Sequence, residues 1–210
     1  AWSGGTTDDL DFDARFGRLF FGLEGERVVA TMRALARLNT LPGMALSNTS
    51  RSIYALLDEP LVGEIIGQIP QTTLEEITRV CADAGRTLRE AISSSRDPLS
   101  LEEMVYSARL MAYAARKGLA SQQVRADLAG LSRGQGDALP LLLRAMEAFR
   151  SLECELTELV EIFRHLWLQR ARHSEMGITL GHFARLKERF ALARKWLQAP
   201  LGKRAKVLFD

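Results

Sequence analysis

Three histidines, His165, His173 and His182, come first, because imidazole is the commonest metal-binding side chain. No HxxxH or CxxC spacing joins them to each other or to the two cysteines. Glu161 and His165 stand four apart, so one helix face could carry both. A single such pair is a poor ligand set and reads as a solvated ion pair beside a core seam, so no metal is expected. Nucleophilic chemistry needs an activated side chain, and there is no GxSxG elbow. Neither Cys81 nor Cys154 belongs to a recognised local signature with histidine. Phosphate cradles of the GxGxxG or P-loop kind are absent. The segment "SRGQGDALP" sets two glycines before a helix whose N-terminus could draw an anion, but Asp137 at the cap position would repel it. The residues therefore predict no catalytic group and no cofactor.

Charge gives two further candidates. "FRHLWLQRARHSEMG" (163–177) gathers Trp167, Arg170, Arg172 and His173. Cations in a last helical turn interact favourably with the helix dipole, by roughly 0.3–1 kcal/mol each. Gly177 is read as the left-handed residue that ends the helix. Trp167, Arg170 and Arg172 stay as interface candidates on the flank of a helix pair. Farther on, Arg185, Lys187, Arg189, Arg194, Lys195, Lys203, Arg204 and Lys206 face Glu188 alone. That stripe is read as a solvated helix face, and no nucleic-acid role is expected.

The elements that must position these residues are helical. "LSLEEMVYSARLMAYAARKGL" sets Leu101, Met104, Val105, Ala108, Met111, Ala112, Ala115 and Leu119 on one stripe. Ser100 with Glu103 suggests its capping box, and Gly118 its end. "TTLEEITRVCADAGRTLREAI" repeats the pattern, with Thr72 and Glu75 as caps. Its Gly85 weakens the helix by about 1 kcal/mol relative to alanine or marks a close helix crossing. The strongest segment spans 138–173, taken as the longest helix. Leu142, Met146, Phe149, Leu152, Leu156, Leu159, Phe163 and Leu166 alternate spacings of four and three there. A last helix over 178–197 repeats the seam with Phe183, Leu186, Phe190, Ala193 and Leu197. In "DFDARFGRLFFG" a short helix is expected to turn Phe12, Phe16, Leu19 and Phe20 inward. The fold class is all-α: a helical bundle of about eight helices, with a long antiparallel C-terminal pair at its centre.

The totals agree. A length of 210 residues, 47% hydrophobic and 26% charged, suits a globular chain with a substantial core. A net charge of +2 argues against a strong polyanion binder. There is no run of about 18 apolar residues, so no membrane span is expected. Two cysteines make no disulfide framework; buried free thiols and a reducing, cytoplasmic setting are expected.

The opening "AWSGGTTDDLDFDARFGRLFFG", the later "LPGMALSNTSRSIYALLDEPL" and "LWLQRARHSEMG" together resemble the C-terminal helical region of bacterial beta-N-acetylhexosaminidases of glycoside hydrolase family 20. The resemblance implies that residues 1–10 are the remnant of a barrel exit or linker and that 11–210 form one all-α domain. It implies an Asp-Glu pair on a catalytic barrel upstream, with the substrate's acetamido group as nucleophile. The chain would then be inactive alone, with its own catalytic barrel as partner and a homodimer as a second possibility. Trp2 would line the sugar subsite, although "SGG" replaces the family's acidic residues in that turn. The other reading is a stand-alone helical adaptor or regulatory module that binds a protein partner or an anionic surface.

Overall fold

The structure, a computed structural model, describes residues 9–46 and 50–199. Among them the chain is all-α. The helices are α1 (Asp9–Phe21), α2 (Gly25–Arg37), α3 (Arg51–Leu57), α4 (Glu64–Gly67), α5 (Gln71–Ile92), α6 (Pro98–Ser132), α7 (Ala138–Arg170) and α8 (Met176–Gln198). A 3-10 turn, Leu38–Thr40, follows α2. Among the described residues no helix is long and apolar enough to cross a membrane.

The two seams pack as the spacing predicts. Phe149, Leu152, Leu156, Leu159 and Leu166 of α7 are buried, as are Phe183, Leu186, Phe190, Ala193 and Leu197 of α8. Phe149 and Phe190 meet edge to face, with ring centroids 5.8 Å apart, the arrangement that aromatic quadrupoles favour.

The centre of the bundle is α6, not the C-terminal pair. At 35 residues α6 exceeds the 33 of α7, and it enters all three hydrophobic clusters. Tyr113 and Val124 join the α7–α8 core, Ala108, Ala112 and Ala115 join α5, and Leu101 joins the Phe21–Val28–Leu88 group. Residues 112–115 are buried one after another, so α6 is covered on every side there, as a core helix must be. Alanine recurs because neighbours approach from all directions.

Gly118 lies inside α6 and does not end it. A Cβ there would lie 2.9 Å from Leu74 Cδ1, so its missing side chain admits α5. Gly85, by contrast, is buried without a close crossing; a Cβ would meet only the Arg89 guanidinium at 3.5 Å. Backbone meets backbone where Gly17 of α1 crosses Gly25 of α2, each lying where the other's Cβ would stand. That approach turns α1 away from its expected register. Phe21 is buried, while Phe12, Leu19 and Phe20 are exposed and Phe16 is half-buried.

The caps also differ. Asp97 caps α6: its carboxylate accepts from Ser100 N at 3.1 Å, with Pro98 at the first helical position. The helix therefore starts before the Ser100–Glu103 box. In α5 the cap position is Pro70, and Thr73 Oγ1 donates to the Pro42 carbonyl at 3.0 Å. Asp137 caps α7 as expected, accepting from Leu139 N at 3.1 Å. The α7 helix stops at Arg170, and the left-handed residue before α8 is Glu175, with φ of 79°, while Gly177 is helical. Cys81 is a buried free thiol, but Cys154 is exposed on α7.

Candidate functional site

The buried polar residues concentrate on α6. Tyr113, Lys117, Ser121 and Arg125 follow at spacings of four, which sets them along one slowly turning line of the helix. Lys117 is fully buried, and its Nζ donates to the backbone carbonyl of Asp58. Among the described residues it makes no ion pair. An ammonium group so placed loses its hydration without gaining a contacting carboxylate. Burial accordingly pushes the Lys117 amine down to about 7, with Asp58 and Glu59 opposing and Arg189 and Arg125 reinforcing the shift.

The segment over Lys117 is the α3–α4 loop, 58–63. Three cationic side chains hold its carbonyls and those beside it. Lys117 takes Asp58, Arg189 Nη1 donates to Leu57 O at 2.6 Å, and Arg125 Nη2 donates to Gly63 O at 2.6 Å. The loop's own carboxylates are turned elsewhere. Asp58 Oδ2 accepts from Ile66 N at 2.9 Å, near the start of α4, and Glu59 pairs with Arg189 Nε at 2.7 Å. Gln122 Nε2 donates to Ile66 O and Ile69 O, each at 2.8 Å, and ties the far side of α4 to α6. Tyr113 OH, Ser121 Oγ and Arg125 Nε are buried there without a hydrogen-bond partner among the described residues. Burial raises the Tyr113 hydroxyl well above its usual value, with Glu155 adding to the effect.

Beside the loop lies an apolar groove of about 340 Å³, walled by Leu61, Val62, Leu192, Ala193 and Trp196 with the Glu59–Arg189 pair. A neutral amine is a nucleophile and a base in principle. Here it is sealed, and no group of three metal-ligating side chains occurs among the described residues. What the arrangement does physically is pin a loop that forms one wall of a groove.

The residues singled out from sequence are spent on a helix terminus. Trp167 Nε1 donates to Arg172 O at 2.8 Å, and its ring packs on Phe163 with centroids 5.5 Å apart. Arg170 Nε donates to Glu103 at 2.8 Å and its Nη2 to Ser100 Oγ at 2.8 Å, which staples the end of α7 to the start of α6. Arg172 is exposed. Trp2 lies outside the described residues. Glu161 pairs with Arg164 at 3.1 Å, not with His165. In the basic C-terminal stripe, Arg189 and Arg194 are bound to Glu59 and Glu153; Lys203, Arg204 and Lys206 lie outside the described residues.

Sequence reasoning missed Lys117. Taking Gly118 as a helix end leaves Lys117 in a last turn, where a cation is ordinary. The available signal was composition: Lys117 is one of only five lysines, set in the small-residue run "MAYAARKGLA". No family model matches the chain, and no curated protein matches it.

Proposed function

We propose that this chain is a non-catalytic helical domain of a beta-N-acetylhexosaminidase-like glycoside hydrolase, and that it supports a catalytic barrel carried in the same protein. The reading comes from the resemblance of the three quoted segments. The observation that supports it is the apolar face of α1. Phe12 is 56% exposed and Leu23, in the turn after α1, is 95% exposed. Phe12, Phe16 and Phe20 form a ladder along the helix, with successive centroids 5.9 and 4.6 Å apart. An apolar patch of this kind marks a contact surface, and it stands on the helix next to the segment that resembles a barrel exit.

The test is hydrolysis of 4-nitrophenyl N-acetyl-β-glucosaminide by the chain alone and by the chain joined to the polypeptide encoded upstream. The expected result is no release from the chain alone and release from the longer protein. Phe12→Asp with Phe20→Asp should lower the melting temperature of the longer protein by more than that of the chain alone. Hydrolysis by the chain alone, or an upstream reading frame without alternating strands and helices, refutes the proposal. The groove beside Trp196 favours a second reading, a helical adaptor that accepts an apolar side chain of a partner; a reading frame that begins just before Ala1 would select it.

A further inference from the structure

The hydrolase reading gives no role to Lys117, so its burial needs its own account. A fully buried lysine whose polar partner, among the described residues, is a carbonyl opposes folding unless the amine is uncharged. The group that meets its Nζ comes from the 58–63 loop and not from a helix: Asp58 O takes Lys117, Arg125 holds the same loop at Gly63 O, and Arg189 holds its start at Leu57 O. We propose that this loop is a latch over Lys117, shut while the amine is neutral and lifted when the amine takes a proton.

The electrostatic surroundings favour that response. From the loop, Asp58 and Glu59 face Lys117, but Asp58 is committed to Ile66 N and Glu59 to Arg189. Arg125 on α6 and Arg189 on α8 repel a proton on Lys117. On α7, Glu155 and Glu153 face Tyr113 one turn away, and Arg116 and Arg194 already occupy them. Neither carboxylate touches Lys117 Nζ, and in the shut state burial and the two arginines outweigh the attraction of Asp58 and Glu59. Lifting the loop lets water reach the ammonium. It also removes Leu61 and Val62 from the groove wall, so the groove belongs to the neutral, shut state.

The sign follows from linkage. The amine titrates at about 7 when shut, and at its ordinary 10.5 when open to water. The open form therefore binds more protons between those values, and falling pH favours it. Between pH 9.5 and 7.5 the open-to-shut ratio rises about 70-fold.

The experiment is amide hydrogen exchange across pH 7.5–9.5, with rates divided by the intrinsic exchange rate at each pH. The reporter is the Ile66 amide, whose acceptor is Asp58 Oδ2. Core amides of Phe149 and Leu156, buried in α7, report global opening. Wild-type Ile66 should be less protected than these core amides and lose about 70-fold of its protection from pH 9.5 to 7.5. Lys117→Met should abolish that dependence, and Lys117→Arg should hold Ile66 weakly protected at every pH. Protection at Ile66 that does not change with pH, or that equals the core amides at every pH, overturns the proposal. The wild-type measurement decides the matter even if a variant fails to fold.

Discussion

Replacing Lys117 by methionine should make the protein more stable near neutral pH, although it removes a hydrogen bond. A similar volume is kept, and the charge goes. The displacement of the amine from 10.5 to about 7 corresponds to a penalty of about 5 kcal/mol on the fully charged form. At pH 7.5 most of that penalty, about 4 kcal/mol, still acts; at pH 9.5 it falls to about 1.5 kcal/mol. The sign is that of a base depressed on folding: the unfolded chain binds more protons between 7 and 10.5, so wild-type stability rises with pH through that window. Loss of the donor to Asp58 O subtracts about 1–3 kcal/mol from the variant at any pH. The variant should therefore be more stable than wild type by about 1–3 kcal/mol at pH 7.5, and equal or slightly less stable at pH 9.5. Urea unfolding at both values reads the change. The difference between the proteins should move by about 2.5 kcal/mol, or roughly 1 M in midpoint. Cys81, whose thiol burial holds up to about 11, lowers stability above pH 9, but equally in both proteins. A parallel pH response of the two proteins, or a variant less stable by more than about 2 kcal/mol at pH 7.5, refutes the reasoning.

Other predictions concern packing and termini. Gly118→Ala should cost about 1–3 kcal/mol because its Cβ would meet Leu74 at 2.9 Å, whereas Gly85→Ala should stabilise by up to about 1 kcal/mol; thermal melts of the pair check both. Asp97→Ala should cost about 1 kcal/mol through loss of the α6 cap, read by urea midpoint. A disulfide reagent should modify Cys154 at once and Cys81 only at the rate of opening, because the first is exposed and the second is buried with a raised thiol; equal rates would contradict the packing of α5 on α6.

The α7 and α8 seams were legible because Leu and Phe repeat there at three and four, and large residues leave a clear one-sided stripe. The middle of α6 was not legible, because alanine on every face carries no direction. Its all-round burial depends on α3, α4, α5 and α7 arriving from other parts of the chain. The α1 ladder misled for a related reason. Phe12, Phe16 and Phe20 share a face, but the Gly17–Gly25 contact decides which face turns inward. At the other end of the long hairpin, physics alone accounted for Trp167 and Arg170 as terminus residues, and the structure adds their ties to Arg172 O, Glu103 and Ser100. Lys117 stayed hidden because its partner carbonyl belongs to a residue 59 positions earlier. No local pattern records such a contact.

The most direct test follows the amine itself. With only five lysines in the chain, 13C labelling at the lysine Cε gives few signals, and the one missing from Lys117→Met belongs to Lys117. A titration midpoint near 7 in the folded protein is the expected result. A midpoint at the ordinary lysine value, close to 10.5, would mean that water or a carboxylate reaches this nitrogen, and the account of α6 as a sealed core helix would fall.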